Sequence, residues 1–424
     1  MSIYASPKKE TGEGENGSAK TTALENKRNS TLGLVLILGS MAAIGPLSID
    51  MYLPAFNDIA QSLGTDKNKV GYTLTSYFLG IGVGQLMFGP LSDRYGRKKP
   101  TIIGLMVFAL SALAIFFTPD IEAFIGIRVF MAFGGCIGMI TSKAIVRDMF
   151  PPEDTARIFS ILMLIMGIAP ILAPTLGGFM VTHFGWRSIF LFLTVYAVLI
   201  TFSVGFFLRE TKEPDRMISL KPPDVIRDYI KIFRNPWFLK FSLAGSLAYA
   251  GLFAYISGAS FLYMDHLGFS QQQFGWTFGI NAGGYILGAQ FNRFFLDKWS
   301  SILVSRRTIF IQTIFAAIMV IGYFIPSLFW YMTIGGIWFY LFCLGLITPN
   351  TTAQALAPFQ RLAGSASALI GALQMLTGAL ISAIVSLVIG QSSLPMLIVM
   401  LVCSLAGTIL LSVKVDKSRM NQVV

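Results

Sequence analysis

Long stretches of consecutive apolar residues, each closed by a short polar cluster, recur along almost the whole chain. They are too long for buried strands and too uniformly apolar for helices with one wet face. They match the roughly 20 residues that a helix needs to cross a hydrocarbon layer about 30 Å thick. Twelve runs are legible: Leu32 to Phe56, Val70 to Leu91, Pro100 to Thr118, Ile121 to Ala144, Arg157 to Val181, Trp186 to Leu208, Trp237 to Met264, Gln271 to Leu296, Arg306 to Ile325, Leu328 to Thr351, Leu362 to Ile389 and Leu394 to Val413. Backbone in lipid must satisfy its own hydrogen bonds, so each run is predicted to be a transmembrane α-helix. The expected fold class is an all-α integral membrane protein of 12 transmembrane helices.

The polar clusters are not alike. Apart from Lys67, Lys69, Arg128 and Arg187, every Lys and Arg falls in or beside alternate loops and the two tails. That is the pattern of a multi-pass protein with both termini cytoplasmic. It absorbs the net charge of +11 without a nucleic-acid partner. Residues 1–30 and 415–424 are expected to be cytoplasmic tails, the first of them disordered. The longest loop, 209–236, separates a six-run half at 31–208 from a second at 237–414. Within it Val225, Ile226, Tyr229, Ile230 and Phe233 recur at helical spacing against Arg227, Asp228, Lys231 and Arg234. This is a short helix that either lies on the inner leaflet or bridges the halves in solvent.

Composition narrows the class. The chain is 54% apolar and only 12% charged. That leaves too little polar surface for soluble domains. Cys136, Cys343 and Cys403 all fall inside runs, so neither a disulfide framework nor a metal set is implied. No cluster of His, Cys or acids within a span suits a membrane enzyme, and no phosphate-binding loop suits an ATP-driven pump. No cofactor is expected, and a monomer is. His183 and His266 fall in outer loops, which argues against a histidine proton relay.

The halves echo each other. "GPLSDR", Gly89 to Arg94, closes the second run and "GAQFNR", Gly288 to Arg293, closes the eighth; "GMIT" from Gly138 and "GLIT" from Gly345 are each followed by a proline at the same offset, Pro151 and Pro358. Two matches in corresponding runs point to a duplicated unit, hence two pseudo-symmetric six-helix bundles of the kind that build secondary transporters.

"GPLSDRYGRKKP" puts five charges within seven residues at the first loop of the basic set. For Lys98 and Lys99 a topological anchor and a functional role are equal explanations. Gly89 offers close helix approach, Asp93 sets a negative charge near a helix terminus, and Gly96 permits a tight turn before Arg97. The stretch resembles the first cytoplasmic loop signature of the major facilitator superfamily, Gly-x-Leu-x-Asp-Arg-x-Gly-Arg-Lys. "PLSIDMYLPAF", Pro46 to Phe56, and "VRDMFPPED" are similar to segments of the Bcr/CflA group of bacterial drug exporters. "APILAPTLGG" resembles the fifth-helix signature of twelve-span proton antiporters, carried here by Pro170, Pro174, Gly177 and Gly178, with Ala173 in place of the first glycine. The fourth-helix Arg-x-x-(Gln/His)-Gly pattern keeps Arg128 but has Met131 and Ala132. The resemblance implies the superfamily fold in a bacterial inner membrane, a gating role for Gly89, Asp93, Arg94, Gly96 and Arg97, and proton-coupled export of small amphipathic antibiotics such as phenicols or bicyclomycin-like drugs. Transport of a metabolite, such as a sugar or amino-acid derivative, is the alternative. Gly89, Asp93, Gly96 and Arg97 together read as a latch between helices; Asn292 stands where Asp93 does, so the corresponding latch of the second half is expected to be the weaker.

Ionisable side chains within hydrocarbon are functional candidates by default. Asp50 and Arg128, six and seven residues from the outer ends of their runs, are expected to share a depth. They form either a static ion pair between helices or, as the resemblance implies, the proton-coupling and drug-binding pair. Tyr255, Asn281 and Gln374 are further substrate-binding candidates, for which interhelical hydrogen bonds are an equal explanation. Lys143, Arg147 and Asp148 are expected to snorkel or to join the loop latch.

Overall fold

The computed structural model describes residues 33–150, 152–215, 222–359, 362–388 and 392–413, and among them all regular structure is helical. The tails placed at 1–30 and 415–424 lie outside the described residues. The first crossing element is Gly33–Ser62, made of α1 (residues 33–50), a turn at Met51 and Tyr52, a 3₁₀ turn (Leu53–Ala55) and α2 (Phe56–Ser62). There follow α3 (Lys67–Tyr95), α4 (Lys98–Phe117), α5 (Ile121–Met149), α6 (Pro152–Phe184) and α7 (Arg187–Phe207). A short α8 (Pro222–Phe233) leads to α9 (Pro236–Ser260), α10 (Gln271–Leu296), α11 (Ser301–Tyr323), α12 (Pro326–Leu356), α13 (Ala363–Val388) and α14 (Leu394–Ser412).

Twelve crossing elements result. Ten of them are long and apolar enough to cross a membrane on composition alone. The other two are α6, whose described apolar portion is the shorter Ile168–Phe184, and α10, which carries Gln271, Gln272, Gln273, Asn281, Gln290 and Asn292. Asn281 and Asn292 are buried and hydrogen-bonded inside the protein. The helix thereby keeps these amides out of lipid, with both Asn281 amide hydrogens placed on tyrosine hydroxyls. Several helices run past their apolar cores. The Asp120 side chain caps α5 by accepting from the Ala123 N–H at 2.8 Å. A reciprocal capping box of Ser270 and Gln273 opens α10. Each cap satisfies backbone donors that the first turn leaves free, and so fixes a start that hydropathy leaves open.

The packing repeats across the halves. α3 packs on α5, α4 on α5 and α4 on α7; correspondingly α10 packs on α12, α11 on α12 and α11 on α14. The halves meet along two seams, α3 against α13 and α6 against α10, which exchange under the same two-fold operation. The protein thus has two pseudo-symmetric six-helix bundles, as the duplicated motifs require. The face bearing the α3–α4 turn and α8 is termed the linker face, and the other the far face.

Candidate functional site

The first crossing helix breaks directly after Asp50. Pro54 has no N–H to return to the Asp50 carbonyl four residues back, so the α-helical ladder cannot continue and the chain passes through a turn and a 3₁₀ segment. The sequence expectation of one continuous helix ending near Phe56 is corrected, since the element runs to Ser62. Asp50 therefore lies deeper, about 18 Å from the far end at the helical rise per residue. It is 5% exposed. No described side chain bonds its carboxyl, which lies within electrostatic reach of Tyr52 and, from α9 of the other half, Tyr249 and Tyr255.

Arg128 does not form the ion pair with Asp50 that was one of the two sequence readings. Wholly buried, it directs both terminal nitrogens to the Ser48 carbonyl at 3.1 Å and places its guanidinium 4.1 Å from the Tyr52 ring centre and 4.5 Å from that of Tyr77, with Phe190 at 5.7 Å. Ser48 lies in the last turn of α1, where carbonyls lack intrahelical donors and the helix dipole is negative. Arg128 therefore caps the broken helix, and the aromatic faces stabilise its charge by about 2 kcal/mol each where desolvated. Met131, which replaces the usual polar neighbour, touches the same guanidinium through its sulfur at 3.7 Å. Ser48, Tyr52, Tyr77 and Phe190 were not singled out from sequence; Pro54, a helix breaker beyond a buried acid, was the signal available.

Of the other candidates, Tyr255 and Asn281 come together and Gln374 stands apart. The Asn281 amide donates to the Tyr255 hydroxyl at 3.1 Å and the Tyr263 hydroxyl at 2.8 Å, while Tyr255 stacks on Phe278. All four are buried. This closed network ties α9 and its π-helical extension (Phe261–His266) to α10, and its amide hydrogens are already used. Gln374, on α13, is half-buried and takes no part in that network. The seam beside them is aromatic: Phe78 of α3 meets Phe253 of α9 at 4.2 Å between ring centres, and Tyr249 meets Phe253 at 5.3 Å.

Pro170 and Pro174 lie inside α6, and the glycines that follow make close backbone contacts. A Cβ on Gly177 would strike the Met51 carbonyl, in the turn after Asp50; one on Gly178 would lie 3.1 Å from the Gln271 carbonyl of α10. The helix thus touches both the break and the opposite half. Around it the far face is closed. Every described side-chain bond that joins the halves directly lies in the far half of the molecule: Lys67 and Asn57 to Asp265 at 2.7 and 3.4 Å, Gln271 to Asp58 at 3.0 Å, Thr182 to Gln271 at 2.8 Å and Thr75 to Ser382 at 3.1 Å. A cleft of about 450 Å³ sits there, lined in part by Lys67, Asn68, Ser260, Asp265 and Ser386.

On the linker face Gly96, at φ +85°, turns the chain from α3 into α4. Arg97 is 8% exposed and holds three partners: Ser92 Oγ at 3.0 Å, Asp93 at 2.9 Å and Asp148 of α5 at 2.9 Å. Lys212 also bridges Asp93 at 2.7 Å. Glu210, missed in the sequence, accepts from the Arg97 backbone N–H at 2.6 Å and from the Lys98 backbone N–H at 3.2 Å. It sets a carboxylate on the positive end of α4. A Cβ on Gly96 would meet that carboxylate at 2.6 Å. The glycine is needed for space as well as conformation. Gly89 is corrected: Ala368 is 4.0 Å from where its Cβ would stand, ordinary contact, and the tight approaches on α3 are at Gly80 and Gly84. Arg94 places its guanidinium 5.8 Å from the Tyr95 ring centre.

Two bundles, a polar break in the first helix and a charged first loop define a transporter of the facilitator type. Residues 38–382 match the Major Facilitator Superfamily model, and the chain belongs to that family. It is 30% identical over 378 residues to a bicyclomycin resistance protein homolog of Haemophilus influenzae, covering 89% of this chain and 95% of the relative. It is 27% identical to multidrug resistance protein D of Escherichia coli over 88% of this chain and 94% of that one, and 29% identical to a chloramphenicol resistance protein of Pseudomonas aeruginosa over 88% of each. Among solved structures, a D-xylose–proton symporter superposes with a TM-score of 0.72 at 14% identity over 92% of this chain and 99% of that one.

Proposed function

We propose that this protein is a proton-driven exporter of small amphipathic antibiotics, with residues 31–208 and 237–414 moving as two bodies about the linker 209–236. The observation that carries the reading is Asp50: a buried acid, set at a helix break on the seam, facing the other half. A carboxyl in a dry seam favours its neutral form, and one in a wet seam favours carboxylate. With the far face closed, water from the linker face hydrates the seam and draws the proton from Asp50; a drug lodged against Phe78, Phe253 and Tyr249 favours the same step by holding the seam open. Opening the far face requires the Lys67–Asp265 and Asp58–Gln271 links to part. The drug then leaves and Asp50 is reprotonated from that side. Arg128 acts through the backbone, since its grip on the Ser48 carbonyl sets where the break lies. Tyr255 and Asn281 hold α9 and α10 in register beside the cavity, and Gln374 faces drug. Gly89, Asp93, Arg94, Gly96 and Arg97 set the conformational equilibrium without touching drug.

The linker face is taken as cytoplasmic, the membrane as a bacterial inner membrane and the transporter as a monomer in lipid. Phenicol-like or bicyclomycin-like drugs are the first substrates to try, because relatives carry those names. The test is a susceptibility panel in cells lacking their own pumps. Expression of the wild type should raise resistance to at least one such compound, and Asp50→Asn, similar in volume but unable to titrate, should abolish it while membrane levels stay unchanged. Resistance to no drug would sink the reading in favour of a metabolite substrate. Full activity of Asp50→Asn would move proton coupling to another group.

A further inference from the structure

A second cavity, of about 400 Å³, opens at the linker face of the C-terminal bundle, where α9 and α11 begin and α14 ends; Trp237, Lys240, Phe241, Ser300, Leu303 and Arg306 line it. We propose that it binds the phosphate of an anionic phospholipid headgroup, a role separate from drug export and independent of it. Lys240 is 5% exposed, and its ammonium donates to the Val413 carbonyl at the end of α14. An ammonium has three donors, and a neutral carbonyl takes one without cancelling the charge. Arg306 lies within electrostatic reach of Lys240, and no described carboxylate pairs with either.

Two like charges facing one cavity repel each other unless an anion joins them. The first turns of α9, capped by Asn235, and of α11, capped by Ser300, open onto the same place. They add the positive ends of two helix dipoles. Trp237 and Phe241 set aromatic rings beside the cations at the membrane boundary, where the glycerol and first methylenes of a lipid would lie. A basic pocket between helix ends at a membrane face is the form that headgroup sites take. The far-face cleft makes the contrast: there Lys67 is already neutralised by Asp265, so nothing calls for an anion.

The full-length protein in detergent micelles, given phosphatidylglycerol or phosphatidylcholine of matched chain length and examined by native mass spectrometry, tests the assignment. The wild type should retain phosphatidylglycerol in preference, and Arg306→Glu should lower that retention by about ten-fold or more, the scale of a lost charge-assisted contact. Lys240→Gln should do the same; if it fails to fold, Arg306→Glu, at an exposed position, decides alone. Equal retention of the two lipids, or retention unchanged in Arg306→Glu, would leave Lys240 as no more than a cap on α14 and overturn the proposal. Displacement of the lipid by inorganic phosphate at equal concentration would make soluble phosphate the ligand and overturn the headgroup assignment.

Discussion

Helices α3 and α10 occupy equivalent places in the two halves and end on the same face, yet they are fastened by different chemistry. In the first half Arg97 gathers Ser92, Asp93 and Asp148, while Lys212 and Glu210 bring the linker onto the same cluster. In the second half the fastening is neutral: Asn350 of α12 donates to Asn292 at 2.6 Å, and Gln354 donates to Ser301 at 2.6 Å. Aligning Gly89 with Gly288 and Gly138 with Gly345 shows why. Asp93 becomes Asn292, Gly96 becomes Phe295, Arg97 becomes Leu296 and Asp148 becomes Ala355. A charged cluster is strong, long in reach and sensitive to salt and to the linker; an amide pair is short in reach and indifferent to both. Only one end of the duplicated unit is therefore built to respond to the state of the linker.

Arg97→Ala should have the largest effect. It removes three bonds at once and leaves Asp148 without its cation and Asp93 with Lys212 alone, in a cluster whose only well-buried charged side chain is Arg97 itself. The expected cost is about 2–3 kcal/mol, below the full penalty of breaking a buried pair because Asp148 keeps some exposure. Thermal unfolding in detergent measures it. Drug export in cells should fall by roughly ten-fold or more, the change in an equilibrium that such an energy makes. Loss of export with unchanged stability would mean that the cluster acts only on the transport cycle and that its bonds are remade elsewhere.

Asp93→Asn makes the first latch resemble the second. The Arg97 contact weakens and the Lys212 bridge loses its charge, with Lys212 at 35% and Asp93 at 38% side-chain exposure. Solvent screens a bridge that open, so the change should be about 0.5–1 kcal/mol. Export should fall several-fold. The sharper comparison is with salt: raising ionic strength should weaken the wild-type linker contact, read as faster proteolysis of the 209–236 segment, while Asp93→Asn shows little further change. Equal salt responses would mean that Glu210, not Lys212, holds the linker.

What was legible in the sequence follows the same division. Spans and their pairing could be read because lipid burial writes itself into composition and because the duplicated motifs mark equivalent helices. Asp93 and Arg97 could be read as partners because they lie four residues apart near one helix end. Asp148, 51 residues along, and Glu210, 113 along, enter only through the packing of α5 and the linker beside them. The helix break at Asp50 was written in Pro54 but was hidden by a run apolar on both sides. The Arg128 site was legible only as a buried charge: its partners are a carbonyl and the faces of aromatic rings, which a search for opposite charges does not consider.

The smallest effect, and the most selective, comes from building the missing pair into the second half. Asn292→Asp keeps the oxygen that accepts from Asn350 and adds a charge at an 8% exposed site. The charge-assisted bond and the desolvation cost should nearly cancel. Leu296→Arg, at an exposed position four residues on, then supplies the spacing of Asp93 and Arg97. Ala355 offers no second acid and nothing plays the part of Lys212. The new pair should therefore couple by only about 0.3–0.5 kcal/mol, the value of an exposed i,i+4 pair, in a double-mutant cycle of thermal unfolding. Coupling above about 1.5 kcal/mol would show that the i,i+4 pair alone makes the latch strong. In that case Asp148 and the linker would be ornaments to the first latch, and the asymmetry between the halves would rest on two substitutions rather than on a network.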